Sequence, residues 1–372
     1  MAIDWKDQTR KDRLKFEMVS ATSLSHTYGE LDGVDLSGST LDAAYYTDLR
    51  TSGKLKVRGD GWVRGSRIRI THEVPDWNYR NVLGTYFVTA DPASRHHGGW
   101  EYELNLESSL KGLSEDKLVR PWTIAKNAMA VTAIRKCIGD ARQTYDVSRA
   151  KNAKLKTPQV IDSGTSRLEA LFTLCKLSNN RVDVRGNGTI VVSPYILPAK
   201  KAAKFRIDLD DARGVSLDDL ERESDWLSMP DVVAVSHKYS DSVKKGGKTE
   251  TVQREINAVA KVSGKAHQSN VLRGYTITDF RSLSELEPRT AQQAQKLAKS
   301  YLSGDTRELV TWTLSTTYLP VWEGDVVELA VRDGMQAYRG IRKCLVKNVS
   351  LDLQHMTMRL TLKETASGDE ED

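Results

Sequence analysis

Short runs in which apolar and polar residues alternate recur at both ends of this 372-residue chain. A period of two places successive side chains on opposite faces of a β-strand, one face toward a core and the other toward solvent. Gly, Asp or Pro residues stand close to each run and favour turns. Short antiparallel strands at this spacing are typical of a barrel or sandwich, so the sequence predicts a mainly β fold. The runs lie at residues 14–19, 53–57, 67–70, 83–88, 100–106, 308–314, 325–329, 341–346 and 357–362.

The period changes to that of an α-helix in the middle of the chain. Apolar residues from Ile124 to Ile138 fall on one helical stripe, and Gly139 stands where a C-terminal cap is expected. A second helix is predicted to begin at Ser166, whose hydroxyl can cap the chain while Glu169 reaches back in a capping box. A Gly-Asn-Gly sequence then separates two short apolar runs, and its glycines tolerate the positive φ of a tight hairpin.

These patterns predict how the chain is organised. We expect a first β-barrel at residues 1–114 and a small α+β domain at residues 115–204. A strand is predicted just after Pro230, because a proline lacks the N–H group that a central strand needs. We assign it to a second barrel made of residues 205–240 and 305–364 and interrupted by an insertion at residues 241–304, which contains a strand and a polar helix. Residues 365–372 form an acidic tail.

The two β regions echo each other. Gly65, which stands just before one alternating run, parallels Gly324 before another, and the offset from Gly84 to Leu104 equals that from Gly340 to Leu360. This spacing suggests a duplicated barrel. Unrelated antiparallel β regions also share turn spacing and alternation, so the pattern alone leaves that alternative open.

Charge and cysteine usage exclude several classes of protein. A net charge of +5 over this length is too dilute for a nucleic-acid-binding surface. Cys137, Cys175 and Cys344 have no CxxC spacing and cannot all pair, so neither a disulfide framework nor a zinc module is indicated. No apolar stretch approaches the length of a membrane span, so we expect no membrane anchor.

No cluster of residues indicates catalysis. Carboxylates are abundant, but no spacing singles out the pair that a glycosidase needs. Adjacent His96 and His97 point to opposite sides of an extended chain, which disfavours a metal site. We therefore expect no enzyme activity, no catalytic, cofactor-binding or metal-binding residues and no cofactor. Carbohydrate binding through Trp62, Trp77 or Trp100 remains open, although lone aromatic residues in β regions usually belong to the core.

Three segments, taken in order, resemble the tail hub proteins of long-tailed phages, the family that includes the central baseplate hub and the N-terminal part of tail-associated lysins. They are a helix, hairpin and proline-containing strand at residues 168–195, the segment at residues 223–235, and residues 319–327 with the closing strands up to residue 362. The structural positions that match the family pattern are Trp226, Pro230, Gly324 and Asp325.

The resemblance implies a fold of two similar antiparallel β-barrels, the second discontinuous, with a lateral α+β domain. It also implies a homotrimeric ring at the virion tail tip, assembled in the host cytoplasm, that caps the hexameric tail tube. Its partners would be the tail tube or distal tail protein ring, the tape-measure protein and other tail-tip proteins, with DNA passing through without sequence-specific binding. The alternative function is a cell-wall glycan-binding or peptidoglycan-degrading tail component.

Overall fold

The computed structural model describes residues 5, 9–59, 61–96, 99–156, 158–209, 216–223, 230–245, 248–262, 275–283, 290–305, 310–331 and 340–365. The chain divides into a larger compact unit, residues 1–221 with 312–362, and a smaller one, residues 222–311 with 363–372. The fold is mainly β with α+β insertions, which confirms the predicted class. Trp226 and the predicted acidic tail after Thr365 lie outside the described residues.

The strands are β1 (Arg13–Val19), β2 (Thr27–Glu30), β3 (Val34–Ala44), β4 (Thr51–Arg58), β5 (Arg67–Val74), β6 (Tyr79–Ala90), β7 (Ala93–His96), β8 (Gly99–Glu107), β9 (Trp122–Ile124), β10 (Tyr145–Asp146), β11 (Gln159–Ile161), β12 (Asn180–Val184), β13 (Ile190–Pro194), β14 (Phe205–Asp208), β15 (Ser216–Glu223), β16 (Val232–Lys245), β17 (Lys248–Lys261), β18 (Thr278–Leu283), β19 (Thr311–Thr317), β20 (Val326–Val331), β21 (Gly340–Asp352) and β22 (Thr357–Glu364). The helices are α1 (Lys111–Glu115), α2 (Ala130–Asp140), α3 (Arg167–Leu177) and α4 (Ala291–Asp305).

The larger unit contains a 14-stranded sheet in which one arrangement of strands occurs twice. Its N-terminal part has the order β3-β4-β8-β6-β5-β1, and its C-terminal part has the order β15-β19-β22-β21-β20-β14. The strands at corresponding positions also occur in the same order along the chain in both parts. We call these sets the N-terminal repeat and the C-terminal repeat. One difference between them is that β1 runs antiparallel to β5 whereas β14 runs parallel to β20.

The two repeats are joined by direct strand pairing. The end of β21, from Asn348 to Asp352, pairs antiparallel with β3 from Ala44 to Thr40. Leu41 and Leu351 are paired with each other and fully buried, and the Ser350 hydroxyl donates a hydrogen bond of 2.6 Å to the Asp42 carboxylate. Backbone pairing and a shared core therefore make the repeats one continuous sheet.

The α+β domain follows its predicted local signals in most places. Ser166 caps α3 through the full capping box with Glu169. β12 and β13 form the expected hairpin, and Gly188 has a φ of +85°. The first predicted helix begins later than expected, at Ala130, because the residues around Ile124 form strand β9 and pair with β11. The apolar stripe there marks burial in a common core rather than one continuous helix.

The smaller compact unit corrects one sequence assignment. The sequence places the strand after Pro230 in the second barrel. In the structure this strand, β16, pairs antiparallel with β17 and parallel with β18 in a separate three-stranded sheet. Its buried residues Val233 and Val235 share a core with small side chains of β17 and with Ala294 and Ala298 of α4. Period-two alternation fixes which face of a strand is buried, but it does not specify the partner strands. α4 itself is the polar helix expected from the sequence.

Replacing Ser166 by alanine should weaken α3 and the domain around it. The substitution removes the hydroxyl that accepts from the Glu169 N–H at 3.1 Å, and we expect the free energy of unfolding to fall by about 1 kcal/mol. Urea denaturation followed by far-UV circular dichroism measures this change. Ser163→Ala, at an exposed turn position before the cap, is the control and should leave stability nearly unchanged. Equal effects of the two variants would contradict the capping role.

Candidate functional site at the Trp322–Asp325 turn

The three cysteines are buried, as their positions in apolar patterns predicted. Burial raises the pKa of the Cys137 thiol to about 12, and burial followed by the nearby Cys137 raises that of Cys175 to about 12. The Cys137 thiol also donates to the Arg167 carbonyl at 3.2 Å. A nucleophilic cysteine needs an accessible thiol of low pKa. Cys137 and Cys175 are therefore structural residues.

The other candidate binding residues are dispersed. Trp77 packs edge-to-face against Trp5 with ring centroids 6.0 Å apart, and Trp62 lies tilted against Tyr102. Of the three tryptophans considered for glycan binding, Trp100 alone is exposed. Among the described residues, which exclude His97, no group of three or more His, Cys, Asp or Glu side chains could hold a metal ion. No helix within those residues has the length and apolar character needed to cross a membrane.

Gly324 and Asp325, two of the predicted structural positions, form one tight turn before β20. Gly324 has a φ of +81°, a conformation that glycine adopts without steric cost. The Asp325 carboxylate accepts from the Trp322 N–H at 2.8 Å, and the Asp325 N–H donates to the Trp322 carbonyl at 3.1 Å. Both Gly324 and Asp325 also exchange backbone hydrogen bonds of 2.9 Å with Val346 of β21. The turn is therefore fixed to β21 by two backbone hydrogen bonds.

Two lysines attach the linker that leaves the α+β domain to this turn. Lys201 Nζ donates to the Gly324 carbonyl at 2.8 Å, and Lys204 Nζ lies 2.8 Å from the Asp325 carboxylate. The Lys204 N–H donates to the Val326 carbonyl at 2.7 Å. Burial, followed by the nearby Arg181, lowers the pKa of Lys201. These contacts hold the segment between the short 3-10 helix at Pro198–Lys200 and β14 against the C-terminal repeat.

Arg181 brings a third part of the chain to the turn. Its side chain comes from β12 of the α+β domain and is only 9% exposed. The Nε atom donates to the Asp183 carboxylate at 2.5 Å, and the guanidinium stacks on the Tyr45 ring at 4.0 Å from its centroid. A Cβ atom added at Gly324 would lie 2.7 Å from the nearest guanidinium nitrogen. The absence of a side chain at Gly324 therefore makes room for the guanidinium.

Glu323, between Trp322 and Gly324, carries a strongly shifted acid group. Burial first, and the nearby Asp183 second, raise the pKa of Glu323 to about 8, while Arg181 and Arg50 oppose the shift. A raised carboxyl pKa is also a mark of catalytic acids. Glu323 lines neither the groove of about 470 Å³ beside Tyr45 nor the smaller one beside Tyr86. Its burial fits a structural role better than contact with a substrate.

The N-terminal repeat contains a turn with the same backbone geometry, but Arg181 and the described residues of the α+β domain do not pack on it. Gly65 has a φ of +84° before β5, and the Ser66 N–H donates to the Val63 carbonyl at 3.1 Å, as Asp325 does to Trp322. Among the described residues other than Gly65 and its two chain neighbours, no atom lies within 4 Å of a Cβ position at Gly65. The Arg64 side chain, which corresponds to Glu323, is 83% exposed and pairs with Asp91 at 2.8 Å. The turn at Gly324 is thus packed against charged side chains of the same chain, whereas the turn at Gly65 faces outward.

The structure brings only part of the predicted pattern together. Gly324 and Asp325 share the turn, whereas Pro230 lies in the smaller compact unit, half-buried before β16. Sequence reasoning missed Tyr45, Arg181 and Glu323, which lie far apart along the chain. The neighbouring Arg181 and Asp183 were visible in the hairpin sequence, but nothing in that spacing identifies Gly324 as their neighbour.

Comparison with known proteins gives a clear result for structure and none for sequence. No family model and no curated protein matches this chain. A tail protein from Neisseria meningitidis is similar over 94% of this chain and 96% of its own, with a TM-score of 0.62 and 13% identity. A 43 kDa prophage tail protein from Shewanella oneidensis covers 95% and 98% with a TM-score of 0.60 and 12% identity. A prophage tail protein from Listeria monocytogenes covers 96% and 95%, with a TM-score of 0.57 and 9% identity.

The chain has the fold of phage tail proteins. Because the similarity extends over nearly the whole of each chain, it includes both repeats and the α+β domain. At these identities, the shared property is the fold.

Alanine at Gly324 should destabilise this tail-protein fold more than alanine at Gly65. Both substitutions place a Cβ atom on a left-handed residue, which costs roughly 1–2 kcal/mol. Only at Gly324 must the Arg181 guanidinium also move away from Tyr45 and Asp183, and we expect a further loss of about 1–3 kcal/mol. Thermal and urea unfolding of the two variants measure the difference. Equal losses would show that the contact with Arg181 contributes nothing.

Glu323 should make stability depend on pH in a defined direction. The folded protein keeps the Glu323 proton up to about pH 8, whereas an unfolded chain releases it near the ordinary pKa of 4.5. The free energy of unfolding therefore falls as pH rises through this window, by about 1.4 kcal/mol per pH unit from this group.

Glu323→Gln should remove that contribution, so the stability of the variant relative to the native protein should increase between pH 5 and 8. Glu103→Gln, at a half-exposed carboxylate on β8, is the control. Urea titrations at a series of pH values test the prediction. A difference between Glu323→Gln and the native protein that stays constant with pH would contradict it.

Proposed function

We propose that the chain is a structural hub protein of a phage tail tip, which forms a homotrimeric ring that caps the hexameric tail tube. The fold shared with phage tail proteins supports a tail component. The sequence resemblance to tail hub proteins supports a position at the tip. The charged residues around the Trp322–Asp325 turn have a structural explanation, which favours a scaffold over an enzyme.

The duplicated β repeat is the observation that carries the proposal. Two sets of six strands follow the same spatial order within one chain. Three copies of such a chain supply six similar repeats around an axis, which matches the six-fold symmetry of a tail tube. Contacts between different surfaces of neighbouring copies close into a ring when their rotation adds up to a full turn. Each copy would then present one α+β domain, so a three-fold pattern is superimposed on the six-fold one.

A ring of this kind would form a channel at the end of the tube. The tape-measure protein and then genomic DNA would pass through it, without sequence-specific contacts. Its neighbours would be the tail tube or distal tail protein ring on one side and other tail-tip proteins on the other. The protein would be assembled in the host cytoplasm and then reside at the virion tail tip.

The oligomeric state and symmetry of the purified protein test this proposal. We expect native mass spectrometry to give three times the chain mass, and electron microscopy to show a three-fold ring with six similar β regions around its centre. Purified tail tube or distal tail protein should be capped by this ring. A stable monomer that never assembles with those proteins would contradict the proposal. Binding to cell-wall glycans on an array would favour the glycan-binding alternative.

A further inference from the structure

The junction between the two repeats shows how one strand serves two neighbours. The first part of β21, from Gly340 to Leu345, pairs with β20 of its own repeat. Its last part, from Asn348 to Asp352, pairs with β3 of the other repeat. β21 therefore extends past its own neighbour and offers its free edge to the edge strand of the next repeat.

The N-terminal repeat has an equivalent extension, formed by β6 and β7 together. β6 pairs with β5 up to Phe87, and its last residue, Ala90, pairs with Asn105 of β8. Ala93 of β7 continues the same register on β8, opposite Tyr102. β7 thus occupies the place in its repeat that the last part of β21 occupies in the other. Within the described part of the chain, β7 pairs with β8 alone.

The backbone of β7 presents hydrogen-bonding groups at its open edge. The Pro92 carbonyl accepts from the Glu103 N–H at 2.9 Å, which identifies the position of one hydrogen-bonded pair on this ladder. Bonded and non-bonded pairs alternate in an antiparallel ladder. The N–H and C=O groups of Ala93 and Arg95 therefore point away from β8, where they can pair with another strand.

β15 is the counterpart of β3, and its second edge has no partner strand in the described structure. Both strands lie at the outer position of their repeat, beside β4 and β19 respectively. β3 is paired on its second side with β21, whereas β15 ends the sheet in the described structure. An unpaired strand edge is a ready template for pairing with another chain.

We propose that β15 of one copy pairs with β7 of a neighbouring copy and thereby repeats the β3–β21 junction between chains. This inference rests on the proposed ring, and it identifies the strands that would hold the ring together. The interface joins two different surfaces, as a closed ring of identical copies requires. An antiparallel arrangement follows from the β3–β21 junction, which is antiparallel.

Charge supports this pair of strands. The sequence of β15 contains four acidic residues and one base, and one of the four, Glu221, is paired with Arg359 at 3.1 Å. The exposed Arg95 places a positive charge on β7. Opposite charges across an edge favour this encounter and disfavour pairing of like edges. β2 also has a single partner in the described structure, but it has no counterpart in the C-terminal repeat and carries the acidic Glu30, which does not complement β15.

Disulfide cross-linking tests the strand assignment directly. The three native cysteines are buried, so introduced cysteines are the accessible thiols. Leu220 of β15 is 41% exposed, and Ser94 and Arg95 place side chains on opposite faces of β7. Leu220→Cys combined with either Ser94→Cys or Arg95→Cys should give covalent dimers and trimers after oxidation. Leu220→Cys combined with Tyr28→Cys on β2 is the matched control and should give none.

A proline on β7 tests the backbone pairing. Arg95→Pro removes an N–H group that points away from β8, so it should leave the β7–β8 hairpin intact and block the addition of a strand. We expect this variant to remain folded by circular dichroism and to lose the trimer, shifting at least ten-fold toward monomer at equal concentration. Arg95→Ala, which removes only the side chain, should retain most of the trimer.

The outcomes separate this inference from the proposed function. A trimeric ring that persists in Arg95→Pro, or that cross-links through Tyr28→Cys instead of β7, would overturn the β15–β7 pairing and leave the ring proposal standing. A native protein that stays monomeric and does not bind the tail tube would overturn both. A folded monomeric Arg95→Pro variant, together with β7–β15 cross-links in the native background, would support both.

Discussion

The antiparallel pairing of β3 with β21 is the contact on which the rest of this structure depends. It joins the two repeats through backbone hydrogen bonds and through Leu41 and Leu351, which are paired and fully buried. A strand edge left open here would expose both polar backbone groups and apolar side chains to water. By pairing internally, the chain satisfies one outer edge strand, β3, and leaves the equivalent strand, β15, at the end of the sheet.

The cluster around Arg181 sets the position of the α+β domain on this sheet. Arg181 stacks on Tyr45 of the segment after β3, binds Asp183 of its own strand and fills the space above Gly324. A buried charge without these partners would cost several kcal/mol, so alternative placements of the domain are disfavoured. Such a cluster adds little net stability compared with an apolar core. Its effect is to select one arrangement of three chain segments over others.

Local signals in the sequence predicted local structure well. The capping box at Ser166 and the glycines of the β12–β13 hairpin act within a few residues, so their geometry is encoded where they stand. Partner choice is not local. The strand after Pro230 has the same alternation that any half-buried strand has, and its pairing with β17 and β18 depends on small residues of α4 and β17. The contact between Arg181 and Gly324 could not be predicted for the same reason, because nothing in the sequence around either residue identifies the other as its neighbour.

Divergence between the two glycine turns has a consequence for any assembly built from this chain. The turns at Gly65 and Gly324 share backbone geometry and the same position before β5 and β20. One carries an exposed Arg64, and the other carries Glu323 buried under the α+β domain. If six repeats surround one axis, neighbouring repeats therefore differ in the charge of this turn and in whether the α+β domain packs on it. A six-fold partner can bind the features that the repeats share, whereas a three-fold partner can recognise those that differ. In the proposed ring, the differences between these two turns would provide a physical basis for matching six-fold to three-fold symmetry within one chain.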